Sequence, residues 1–217
     1  MPKKSIGPLA TGKVSENIFA IKTRTVNFFV FQYAEITIAI DSGFGKNLIL
    51  SQLKYLGLDP KNITHVFLTH SDFDHTGGVN LFENAKVYLS ADEETMITGK
   101  RARMLGFVYN SRIKKPYQLL NDNDVVSLGR LAIHAITTPG HTPGSMSYLV
   151  NESILFVGDT FKLIDDRVYP LRRYINMDTE QQKASIRKLA RLDGVKLACT
   201  AHTGYTKAFD QAIQAWK

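Results

Sequence analysis

The sequence predicts an α+β fold in four layers, αββα, with two sheets face to face and helices over both outer surfaces. Three observations lead there. Two blocks of short segments rich in β-branched and aromatic residues, one from residue 17 to 41 and one from 125 to 157, read as strands. Stretches with apolar residues at helical spacing lie between and after these blocks, where they cover sheet faces that would otherwise meet water. The 217 residues suffice for a sizeable core, and with no linker, repeat or low-complexity tract we expect one domain over 1–217.

Taken in order, Asn17 to Thr23, Val26 to Phe31 and Ile36 to Asp41 read as the first three strands. Asp41-Ser42-Gly43-Phe44-Gly45 breaks the pattern, and Leu48, Ile49, Leu53, Leu56 and Leu58 then recur at helical spacing until Asp59-Pro60 stops them. His65 to Thr69 reads as a buried strand. Gly77-Gly78 follows soon after as a tight turn into a helix from about Val79 to Glu83. A strand from Lys86 to Leu89 leads to a helix opened by Ser90, with Asp92 and Glu93 favourably placed in its first turn. The basic segment 99–116 has no clear period. Its Met104, Leu105, Phe107, Val108 and Tyr109 are read as packing on the core in preference to covering a site as a lid. Strands return at Val125 to Leu128, Leu131 to Thr138, Met146 to Val150 and Ile154 to Val157. A helix from Thr179 to Leu192, a strand ending at Thr200 and a helix from Lys207 to Trp216 complete the chain.

Composition excludes several classes. Hydrophobic content of 44% and charged content of 22% are those of globular proteins, so disordered and fibrous classes drop out. No apolar run approaches the ~20 residues that a membrane helix needs. Met1 to Pro8 carries lysines without an apolar stretch behind them, so no secretion signal is expected and the cytoplasm is the default compartment. The single cysteine, Cys199, rules out an internal disulfide and a thiolate zinc knuckle, and reads as a small core hydrophobe. The net charge of +7 fits an anionic small-molecule substrate; nucleic acid and membrane partners are not expected, and the oligomeric state is open. Basic runs such as Lys100, Arg101, Arg103, Arg112, Lys114 and Lys115 read first as solvated faces.

The densest chemistry lies in Thr69 to Gly78, THSDFDHTGG, where His70, Asp72, Asp74 and His75 occupy six consecutive positions at the end of a buried strand. Taken alone, it could be a polar turn whose Asp74 and Thr76 cap the next helix. Three later features argue against that: His141 in TTPGHTPGS, Asp159 in LFVGDTF and His202 in CTAHTGY, each at a strand end or in a turn. Imidazoles and carboxylates of this kind, without thiolates, suit a divalent metal. His65 and His134 have no other ligand type near them and are read as structural or surface residues.

From about Ile18 to His202 this order of motifs resembles the metallo-β-lactamase-fold hydrolases, with one departure: Asp72 stands where that family usually has its second histidine. The resemblance implies two divalent metal ions, zinc first and iron or manganese as alternatives. His70, Asp72 and His141 would hold the first, Asp74, His75 and His202 the second, and Asp159 would bridge them. It implies further that a metal-bound hydroxide cleaves an ester-type bond of a lactone, thioester or phosphoester, with Asp74 as the catalytic group that orients the nucleophile and passes its proton on. Asp72 should make the first site harder and less Lewis-acidic. A carboxylate there also resembles the flavodiiron proteins, so an iron-dependent oxidoreductase related to those or to sulfur-oxidising members is the alternative reading. Antibiotic hydrolysis is disfavoured, because Asp159 stands where true zinc β-lactamases carry cysteine or serine.

Overall fold

The structure is a computed structural model that describes residues 7–104, 106–108, 110 and 113–217. Expectations for Met1 to Ile6, Leu105, Tyr109 and Arg112 therefore lie outside the described residues.

The first half forms a seven-stranded sheet whose spatial order follows the chain: β1 (Gly12–Ser15), β2 (Ile18–Lys22), β3 (Asn27–Tyr33), β4 (Ile36–Ile40), β5 (His65–Phe67), β6 (Lys86–Ser90) and β7 (Tyr117–Leu120). Strands β1 to β4 are antiparallel, and β4 to β7 run parallel, with α1 (Lys46–Tyr55) in the first crossover. The second half supplies β8 (Val125–Leu128), β9 (Leu131–Thr137), β10 (Met146–Val150), β11 (Ile154–Phe156), the small hairpin β12 (Lys162–Ile164) with β13 (Arg167–Tyr169), β14 (Leu197–Thr200) and β15 (Gly204–Thr206). Apart from the hairpin these make a six-stranded sheet in the order β15-β14-β11-β10-β9-β8.

Alternation along the strands sends one set of side chains between the sheets and the other outward. Phe29, Phe31, Ile38 and Phe67 meet Ile133, Tyr148, Phe156 and Cys199 in the central core. Phe28, Val30 and Val66 face the other way, onto Ile49 and Leu53 of α1. Leu155, Val157 and Ala198 likewise pack on Ile186 and Leu189 of a helix at Thr179–Leu189, and on Phe209 and Ile213 near the carboxyl end. These three apolar layers are the αββα sandwich that the sequence predicts.

Several elements are shorter than expected, for local reasons. The helix anticipated at Val79 is a single 3-10 turn, Val79–Leu81, and a short helix instead occupies Phe73–Thr76. Gly77 and Gly78 have φ of −63° and −93°, open to any residue, so no left-handed turn is involved. What requires glycine is close approach: a Cβ on Gly78 would collide with the Ser42 carbonyl and lie 2.7 Å from Ile49 Cδ1. The last helix is split into Phe209–Ala212 and a 3-10 turn, Gln214–Trp216. Strands β1, β7, β12, β13 and β15 have four residues or fewer, and the first four of them bury one residue each, where the equally short β5, β11 and β14 bury two or more.

Strands β4, β5, β6, β9, β11 and β14 all present their carboxyl ends at one edge of the sandwich, and the loops after them meet there. Cross-sheet bonds close this edge. Met146 N donates to Thr69 O (2.8 Å), Tyr148 Oη to Leu68 O (2.8 Å) and Asn27 N to Ala201 O (2.7 Å). Beneath the loops, Glu93 is fully buried and ties the two halves together. Its carboxylate accepts from Ser71 N (2.9 Å) and Ser71 Oγ (2.6 Å) on one side, and from Thr142 Oγ1 (2.8 Å) and Gly144 N (3.0 Å) on the other. Glu93 was expected only as a favourable charge in a helix's first turn; its role is a clamp between the turn carrying His70 and the turn carrying His141.

Two outcomes follow. Glu93→Ala strands two buried backbone N–H groups at ~1–3 kcal/mol each, so denaturant unfolding should show a loss of about 3–5 kcal/mol. Cys199 is fully buried, and burial pushes its thiol pKa upward. A thiol reagent should therefore leave the folded chain unlabelled and react only at the rate of unfolding.

Candidate metal centre

Each histidine of the cluster is fixed from behind through Nδ1. His75 Nδ1 lies 2.8 Å from Asp41 Oδ2. His70 Nδ1 lies 3.1 Å from Thr69 Oγ1, whose hydroxyl donates in turn to Asp41 (2.9 Å). His141 Nδ1 meets Asn176 Oδ1 at 3.3 Å, and His202 Nδ1 meets the Thr25 carbonyl at 2.6 Å. With an acceptor behind each ring, the proton belongs on Nδ1 and the Nε2 lone pair is left for the pocket. This is how metal-binding imidazoles are oriented by the groups behind them.

The four rings share one pocket, with centroids 4.0 Å apart for His70 and His75, 4.8 Å for His70 and His141, and 5.8 Å for His75 and His202. Asp159, supplied by the turn after β11, sits in their midst. Its Oδ1 is 3.6 Å from His75 Nε2, and its Oδ2 is 3.2 Å from His202 Nε2 and 3.4 Å from His141 Nε2. Gly158 makes this turn possible. It has φ +51°, and a Cβ there would press into the Thr69 side chain. Asp74 stands at the rim, half-buried, accepting from Thr25 Oγ1 at 3.2 Å.

Among the described residues, three groups offer ligand atoms within 4.8 Å of one another: His70, Asp72 and His141; His70, His75 and Asp159; and Asp74, His75 and His202. The structure thus brings together all seven residues that the sequence singles out. His65 and His134 stay away, His65 bonded to Thr64 and stacked on Tyr88, His134 paired across the sheet with Val125.

Whether a cation fits is tested by the buried atoms that lack partners. His70 Nε2, His75 Nε2 and Asp159 Oδ1 are buried without a hydrogen bond, although such atoms are rarely left alone. All three point into one space and all three are good ligands for a divalent ion. The electrostatics agree. Burial lowers the pKa of His75, but Asp41 and Asp159 outweigh it and push it up to about 10. Asp159 pushes His202 up to about 9. Burial would raise Asp159, yet the charges of His202, His75 and His141 hold it well below the usual carboxylate range. The pocket therefore calls for positive charge, which a proton or a metal ion can supply in competition.

Asp72 behaves differently from the other six. Arg103 reaches in from the basic segment and binds it through Nε, at 2.8 Å to Oδ1 and 3.1 Å to Oδ2. A terminal nitrogen of the same guanidinium lies 3.0 Å from His141 Nε2 and donates to the Ile175 carbonyl at 2.8 Å. Asn110 adds a third contact, donating to Asp72 Oδ1 at 3.0 Å and to Ser71 Oγ at 2.6 Å. The segment expected to pack on the core thus lines the site: Arg103, Met104, Val108 and Asn110 wall an open pocket of about 430 Å³ with Phe73, Ile175 and the metal-binding candidates. Arg103 is only 8% exposed, contrary to the solvated role expected for it.

Sequence reasoning missed Asp41, Glu93, Arg103 and Asn176. For Asp41 one signal was present, an aspartate at the end of a buried strand, where it adopts φ +63°. For the others the partners are remote in sequence and nothing local marks them.

Known proteins resemble the chain to different depths. The chain is 28% identical over 159 residues to the probable metallo-hydrolase MJ0296 of Methanocaldococcus jannaschii, covering 73% of this chain and 66% of that protein. It is 30% identical over 155 residues to the probable polyketide biosynthesis zinc-dependent hydrolase PksB of Bacillus subtilis, covering 66% and 60%. The chain therefore spans less than two thirds of the length of these relatives. Among solved structures, one described as the first B3 metallo-β-lactamase with an active site glutamic acid superposes with a TM-score of 0.71, at 22% identity over 98% of this chain and 88% of that one. That likeness concerns the fold. The family model of the metallo-β-lactamase superfamily matches residues 21–202, the span that contains β3 to β14 and every residue of the cluster, and the chain belongs to that superfamily.

Proposed function

We propose that the chain is a metal-dependent hydrolase that cleaves an ester-type bond in a small substrate. The observation that carries this reading is that four histidines, each held at Nδ1, turn Nε2 into one pocket in which His70 Nε2, His75 Nε2 and Asp159 Oδ1 are buried without a hydrogen bond. His141 and His202 find partners in Arg103 and Asp159, but a set built only for stability would not leave the other two Nε2 atoms and Asp159 Oδ1 buried and unpaired. His70, His75 and Asp159, with Asp74 and His202 beside His75, would hold a divalent ion, with zinc the first choice for a set of imidazoles and carboxylates and iron or manganese the alternatives. Such an ion supplies Lewis-acid polarisation of the scissile bond and brings the ionisation of water to near neutral pH. The relatives named as a metallo-hydrolase and a zinc-dependent hydrolase support the same class.

The chain's own residues would divide the remaining work. Asp74, held by Thr25 at the rim, would orient the attacking water and carry its proton to the leaving group. Asp41, behind both His70 and His75, would keep the two rings at fixed angle as charge shifts in front of them. Phe73, Met104, Val108 and Ile175 give the pocket an apolar wall suited to the acyl part of a thioester or lactone, and Arg103 offers a cation to an anionic oxygen. Among the described residues no helix is long and apolar enough to cross a membrane, so nothing in them ties the substrate to a bilayer.

The test is a panel of lactones, thioesters and phosphoesters assayed before and after chelation. Hydrolysis should vanish on metal removal and return with zinc; turnover indifferent to chelation by a chain verified as metal-free would refute the reading. A second outcome concerns Asp159→Ala. Gln182 bonds the Asp159 backbone carbonyl, not its side chain, so the turn should survive and thermal unfolding should stay cooperative. Zinc affinity should nevertheless fall by more than ~100-fold, beyond the loss typical of a supporting residue. Unchanged zinc affinity in this variant would remove Asp159 from the ligand set.

A further inference from the structure

We propose that Arg103 takes the place of the first metal, so that this chain holds one divalent ion and one guanidinium where the resembled family holds two ions. The proposal rests on the metal-dependent reading above and assigns the number of ions, which that reading leaves open.

The contacts of Arg103 are those a cation would make with this group. A guanidinium is always protonated and has no acceptor, so both Asp72 and His141 must receive hydrogen bonds from it. Asp72 does so with both oxygens, at 2.8 and 3.1 Å, and His141 with the Nε2 lone pair that a metal would need, at 3.0 Å. Asn176 Oδ1, 3.3 Å behind His141 Nδ1, accommodates the tautomer this contact needs, and Asp72 Oδ2 (3.2 Å) and Asp159 Oδ2 (3.4 Å) also face Nε2. Two of the three donors in the group of His70, Asp72 and His141 are thereby occupied.

The atoms left without partners mark what remains to be filled. His70 Nε2, His75 Nε2 and Asp159 Oδ1 form one group; His70 is shared with the group of Asp72 and His141, but no orphaned atom lies on Asp72 or His141 themselves. The unsatisfied demand is for one ion beside Asp159.

Arg103 is also fastened from its own side. Its backbone N bonds Val108 O at 2.6 Å, its side chain bonds Ile175 O at 2.8 Å, and Asn110 shares the Asp72 carboxylate. An aspartate at position 72 is what makes this possible. A neutral histidine there would offer one lone pair and no charge, whereas the carboxylate shares the Nε–H between its two oxygens and offsets the guanidinium's charge. Asp72 and Arg103 are thus paired, the carboxylate supplying the acceptor that draws the guanidinium in.

The experiment is zinc titration of the chelator-stripped chain by calorimetry, with the bound ions counted by native mass spectrometry. The parent should take up one tight equivalent and Arg103→Met two, with circular dichroism confirming that the variant folds. Arg103→Lys, whose compact ammonium cannot span Asp72 and His141 together, should bind a second ion at least tenfold more weakly than Arg103→Met does. Two tight equivalents in the parent would overturn the proposal while leaving the metal-dependent reading intact, and that result does not depend on any variant folding. One equivalent in both parent and Arg103→Met would also overturn it, because Arg103 would not be what excludes the second ion. No zinc in the parent would bring down both readings together.

Discussion

Four imidazoles and three carboxylates meet at the edge where two sheets close on each other, and most of them are cut off from water. Such a set can be buried only if positive charge is present among the carboxylates, because an uncompensated buried carboxylate is far too costly to persist. The chain meets this demand with Arg103 and, at His75 and His202, with either protons or a metal ion. Much of the loop architecture follows from it. The Thr69–Asp41 pairing, the Gly158 turn and the clasp of Asn110 on Asp72 each keep a member of the cluster aimed at the common centre.

The two sheets contribute to this centre from opposite sides, so their relative position has to be held more firmly than apolar packing alone would hold it. Glu93 does this by joining the His70 turn to the His141 turn through four hydrogen bonds. The Thr25 carbonyl, from the β2–β3 loop, does the same for His202, which comes from the other sheet. Polar bonds across the seam are directional where dispersion contacts are not. A pocket that needs ligand atoms in register to within a fraction of an ångström gains from that.

The fold class and the seven cluster residues were legible because their signals are local. Strands of five or more residues show their alternation, and a His-x-Asp-x-Asp-His turn has few purely structural explanations. The supporting residues were hidden because their meaning depends on partners far along the chain: 22 and 49 positions separate Glu93 from Ser71 and Thr142, and 31 separate Arg103 from Asp72. Arg103 was masked further by its neighbours. In a run of lysines and arginines, one side chain turned inward looks like the rest until the acceptor that pulls it in is identified. Asp72 was recognised as the unusual position, but its partner could come only from the folded chain, and the expectation that it would act as a metal ligand now competes with a guanidinium already in contact with it.

The central claim is that the partnerless atoms around Asp159 form a cation site. Anomalous diffraction at the zinc edge from crystals of the zinc-loaded chain tests it most directly. The account predicts a peak within bonding distance, roughly 2.0–2.2 Å, of His75 Nε2 and Asp159 Oδ1. A fully loaded crystal with no peak in the pocket, or with its zinc held elsewhere on the chain, would contradict it.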